Sequence, residues 1–155
     1  MVSYSDDDSL PTAHTAYASL HISDETLDKL SNDLLRKLHA LSPERARQLS
    51  AQGCRLRQEL LGSRVGNLIA THSLSEADFE NSHAIAQWFA ELPIESSRQI
   101  YMSWGDKHVI ITEWSVFLAL WDNLYYPHDS IDIFDNSLSW ALMFGPNEQV
   151  IFARR

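Results

Sequence analysis

The stretch from Thr112 to Tyr126, TEWSVFLALWDNLYY, constrains the fold more than any other part of the chain. Trp114, Phe117, Leu118, Trp121, Leu124 and Tyr125 recur at steps of three and four, which puts one broad apolar face on a helix. Thr112 stands where a cap would be, and Pro127 ends the run. A helix this apolar on one side needs a surface to lie on, and strand-like runs flank it. Upstream, RQIYMSW alternates, with Ile100, Met102 and Trp104 on one face, and HVIIT from His108 to Thr112 follows the turn at Gly105-Asp106. Downstream, IDIF (131–134), LSWALMF (138–144) and QVIFA (149–153) are separated by DNS and GPNE turns at hairpin spacing. The order from residue 98 onward is β-β-α-β-β-β, an antiparallel sheet packed on one helix.

The front of the chain has a different period. Ser23 caps a run in which Leu27, Leu30, Leu34, Leu38 and Leu41 are three or four apart, with Asp24 and Glu25 in the first turn. Ser42-Pro43-Glu44 starts a second helix, whose seam is Ala46, Leu49, Gly53, Leu56 and Leu60. Two such stripes with a short connection predict an αα-hairpin, and Gly53 would let the partner helix come close. VGNLIATH (65–72) fits either a helix extension or a connection. A third helix follows, from Ser75 with Asp78 in capping-box position to Leu92, closed by Pro93.

Helices first and strands second, with one helix inserted, give an α+β class. The expected organisation is a flexible acidic arm over 1–22 and one α+β domain over 23–155, helical to 92 and sheet-rich from 98. A chain of 155 residues has enough length for one sizeable core.

Charge narrows the function classes. The net charge is −9. Residues 1–28 hold six acids and no base, 29–64 hold eight bases against three acids, and 65–153 hold twelve acids against two bases. Such a chain has no generic attraction to phosphate backbones, so nucleic acid is not the expected partner. The small basic excess of the second helix, Arg47 and Arg55 beside Gln48, lacks the interleaved aromatics of a base-stacking surface. No apolar run approaches the roughly 20 residues that span a bilayer, so no membrane is expected. The single Cys54 fits a reducing compartment, and the chain reads as cytoplasmic.

Motifs for chemistry are sparse. There is no phosphate-cradling glycine run, no G-x-S-x-G and no H-E-x-x-H, and no cofactor is expected. The one catalytic or metal candidate is Pro127 to Asp132 (PHDSID), with His128 between carboxylates, Asp122 upstream and Asp135 downstream. Asp129, Asp132 and Asp135 are three apart, which on a strand sends neighbours in the series to opposite faces. The spacing does not match a calcium loop.

The segment running from RQIYMSW through EWSVFLALWDNLYYPHDSIDIF to LSWALMF and VIFARR resembles small bacterial proteins of unknown function, in which a W-x-x-F-L-x-x-W-D helix leads into a YP-and-acid loop and a closing hairpin. It is also broadly similar to immunity proteins of bacterial toxin systems, which are small, acidic, cytoplasmic α+β domains. The resemblance covers about the last sixty residues and carries over no active site.

From the residues themselves, aromatics beside acids suit a basic protein partner. The expected function is a non-enzymatic protein-binding domain of immunity or inhibitor type, with Tyr101, Asp106, Asp122, Tyr125, Tyr126, His128, Asp129 and Asp132 as partner-binding residues. The alternative is a small hydrolase or metal-dependent enzyme centred on His128, Asp129 and Asp132. A homodimer through the helical hairpin is a third reading.

Overall fold

The computed structural model describes residues 36–62, 67–73, 82–104, 108–124, 130–144 and 149–154. In chain order the elements are β1 (His39–Ala40), α1 (Pro43–Gly62), β2 (Asn67–Ser73), α2 (Ser82–Ala90), β3 (Gln99–Trp104), β4 (His108–Glu113), α3 (Trp114–Leu124), β5 (Ile131–Phe134), β6 (Trp140–Phe144) and β7 (Gln149–Arg154). The fold is α+β. The strands form one antiparallel sheet in the order β1-β4-β3-β5-β6-β7-β2, in which β1 is only a two-residue edge piece. The expected β-β-α-β-β-β run is present from β3 to β7.

Both faces of the sheet are covered. Side chains alternate along each strand, and the alternation sorts the core into two clusters. Ile100, Met102, Ile110, Ile133, Leu142 and Phe152 meet Phe89 of α2 and Trp114, Phe117 and Trp121 of α3. Phe89 holds that layer together, with ring centroids 5.1 Å from Phe117 and 5.4 Å from Trp121, both edge to face. On the other side Tyr101, Val109, Ile111, Phe134, Ala141 and Met143 meet Leu49, Leu56 and Leu60 of α1. This corrects the expectation of a sheet packed on one helix. The sequence LSWALMF already carries the reason, since every residue of β6 is buried and apolar, as a strand with two covered faces requires.

The seam of α1 faces the sheet. Ala46, Leu49, Gly53, Leu56 and Leu60 are all buried, and what occupies the space beside Gly53 is a strand residue. A Cβ built on Gly53 would stand 2.6 Å from Cε1 of Phe134, and Phe134 is fully buried. The close approach assigned from sequence to a partner helix is made by β5.

The helix expected over 23–41 lies mostly outside the described residues, but its final turn is a correction. His39 and Ala40 pair with Ile111 and Ile110, and the Leu41 amide donates to the Val109 carbonyl at 3.0 Å. Leu38 then packs in the α2–α3 layer and Leu41 in the α1 layer. Their three-residue separation means one face on a helix and opposite faces on a strand.

The ambiguous stretch after α1 is β2, paired with β7 in register from Asn67–Arg154 to Ser73–Gln149, with an irregularity between Leu68 and Ala70. Of the third predicted helix, Ser82–Ala90 is helical; the Ser75–Asp78 cap lies outside the described residues. So do the arm over 1–22 and Asp106, Tyr125, Tyr126, His128 and Asp129.

Thr112 does not cap α3. It is the fifth residue of β4, 3% exposed, and its hydroxyl has no hydrogen-bond partner among the described residues. The first amides of the helix are satisfied from the turn before β3 instead. Trp114 N–H donates to Arg98 O and Ser115 N–H to Ser96 O, each at 2.9 Å.

Two stability measurements follow. Gly53→Ala is expected to destabilise by about 1–3 kcal/mol through overpacking against Phe134, although alanine is the better helix former by about 1 kcal/mol. Adding Phe134→Leu should recover part of that loss in urea melts. Thr112→Val removes a buried hydroxyl without a partner among the described residues, so it is expected to raise stability by up to about 1 kcal/mol; a true cap would give a loss of similar size.

Candidate functional site

The strand registers place several chain connections at one end of the sheet. Trp104 faces His108 at the last pair of the β3–β4 hairpin. Ser103 faces Asp132, which sets Ile131, the first residue of β5, beside Trp104. Ile131 pairs with Phe144, and Phe144 with Val150. Ser73, the last residue of β2, pairs with Gln149. The strand ends from which 74–81, 105–107, 125–129 and 145–148 leave therefore all stand at this end.

The four connections carry Glu76, Asp78, Glu80, Asp106, Asp129 and Glu148 against the one base Lys107, six negative charges against one positive, or −5. Helix α3 begins beside Glu113 at the far end and runs back toward this one, with Asp122 in its last turn and no base there. A helix C-terminus adds about half a negative charge of its own. At the far end, among the described residues, Glu91, Glu95, Glu113 and Asp135 stand with Lys37, Arg98 and Arg154, and Lys37 Nζ lies 3.7 Å from Glu113 Oε2.

Of the expected partner-binding residues, Tyr101 is buried and Asp132 half-buried. Tyr101 is 7% exposed in the α1 layer, its ring 5.5 Å from that of Phe134. Burial pushes its phenol pKa up, opposed by Arg45 and assisted by Asp135. Asp132 points beneath α1, where Arg57 Nη1 is 3.4 Å from its Oδ1, a charge contact without the alignment of a hydrogen bond. Arg57 also donates from Nη2 to the Phe144 carbonyl at 3.3 Å. Nearby, Ser50 of α1 and Ser103 of β3 share a buried hydroxyl contact of 3.1 Å. These polar groups bridge helix to sheet.

Asp135 is wholly buried on the opposite side of β5 from Asp132, as the odd spacing requires. Its Oδ2 accepts from Trp140 Nε1 at 2.9 Å and meets Arg98 Nε at 3.2 Å, while Oδ1 accepts from the Ser137 amide at 2.9 Å and from the Ser137 hydroxyl. With all these partners it ties the β5–β6 turn. That turn holds Leu138 at φ 52°, a left-handed conformation that costs a non-glycine residue about 1–2 kcal/mol, while its side chain packs against the α1 layer.

Among the described residues no three His, Cys, Asp or Glu side chains converge as a metal site. The α1 arginines Arg47 and Arg55 lie on the outer, exposed face. Arg47 Nε donates to the Pro43 carbonyl at 3.3 Å. Cys54 is exposed.

The residues singled out from sequence were Asp106, Asp122 and Asp129; Glu76, Asp78, Glu80 and Glu148 were not, although their connections leave the same end of the sheet. The pairing of β2 with β7 puts the start of the 74–81 connection at this end. Comparison with protein-family models, curated proteins and solved structures finds no match for the chain.

Burial raises the Asp132 carboxyl above its ordinary 3.8, and Arg57 only partly offsets this. The folded state therefore holds that proton more tightly than the unfolded chain. The sign is that Asp132 favours the fold below 3.8 and that this contribution is lost as pH rises through the raised value. In urea melts across the acid range, the stability of the native protein relative to Asp132→Asn is expected to fall over that window and then level off.

Proposed function

We propose that this chain is a non-enzymatic protein-binding domain that takes a basic protein partner at the acidic end of its sheet, in the manner of a bacterial immunity or inhibitor protein. The observation that supports the reading is the register of the strands, which gathers at one end the connections with six acids against one base. Charge of one sign, gathered rather than scattered, raises the encounter rate with an oppositely charged surface and discriminates against acidic competitors. Within the same connections Tyr125 and Tyr126 supply the amphipathic anchors that bind once the partner is near. His128, Asp129, Asp106 and Asp122 belong to that surface in this reading. Tyr101 and Asp132 support it from beneath.

The enzymatic alternative loses one of its three members, because Asp132 is engaged by Arg57 under α1.

Immobilised protein exposed to a native bacterial extract is the test. Wild type is expected to retain a basic protein at low ionic strength and release it at high, since exposed charges are screened beyond about 10 Å at 0.1 M salt. A variant carrying Asp106→Lys, Asp129→Lys and Glu148→Lys is expected to bind that protein at least tenfold more weakly, the equivalent of about 1.4 kcal/mol, with an unchanged melting curve. Arg47→Glu with Arg55→Glu on the outer face of α1 should leave binding intact. Equal retention by the triple variant would refute the proposed surface.

A further inference from the structure

We draw no further inference here: the strongest candidate, the outer edge of β2, where seven residues without an acid, lysine or arginine end the sheet, carries nothing because nothing in the structure shows what covers it.

Discussion

Phe134 fills the space that Gly53 leaves open, and this contact sets how closely α1 can lie on the sheet. The dependence runs outward from there. With the helix at that distance, Leu49, Leu56 and Leu60 reach Tyr101, Val109 and Met143, and the second face of the sheet is sealed. Sealing it makes the central strands apolar on both sides, and the order β4-β3-β5-β6-β7 follows as the arrangement that puts those strands in the middle. The ends of the sheet are short or irregular. β1 has two residues, and β2 carries a register shift between Leu68 and Ala70, features that discourage edge-to-edge pairing.

Polar groups inside this frame fix its alignment more than its strength. Arg57 spans from α1 to Asp132 and the Phe144 carbonyl, while Ser50 meets Ser103. Burial raises the Asp132 carboxyl despite the attraction of Arg57, as expected where desolvation of a charge is costly. Asp135 differs because both of its oxygens are engaged, by Trp140, Arg98 and Ser137. A carboxylate so provided for is a structural device, although in sequence it stands in the same three-residue series as Asp129 and Asp132.

Much of the fold was legible because periodicity reports burial directly. The β3–β4 hairpin and the three closing strands appear where their patterns put them, and Trp114, Phe117 and Trp121 of the α3 stripe are buried together with Val116 and Leu120. What failed depended on partners. Leu38 and Leu41 continue the three- and four-residue spacing of Leu27, Leu30 and Leu34, yet strand pairing with β4 wins at 39–40, where Ala40 meets Ile110. Gly53 announced a close contact without saying whether a helix or a strand would make it. Thr112 had the right position for a cap, but the carbonyls of Ser96 and Arg98 were already there. The candidate site was half legible: acids near Tyr125 and Asp129 are visible in the chain, whereas only strand order shows that the connections holding Glu76, Asp78, Glu80 and Glu148 leave the same end of the sheet.

The functional account therefore turns on β2. Its pairing with β7, ending at Ser73–Gln149, starts the 74–81 connection at the end where the 105–107, 125–129 and 145–148 connections leave the sheet. Cross-strand nuclear Overhauser contacts in the intact protein test this most directly. The account predicts antiparallel contacts joining Thr71 to Ile151 and Ser73 to Gln149. Contacts that pair β2 in parallel, or with any strand other than β7, would dissolve the acidic end and with it the proposed binding surface.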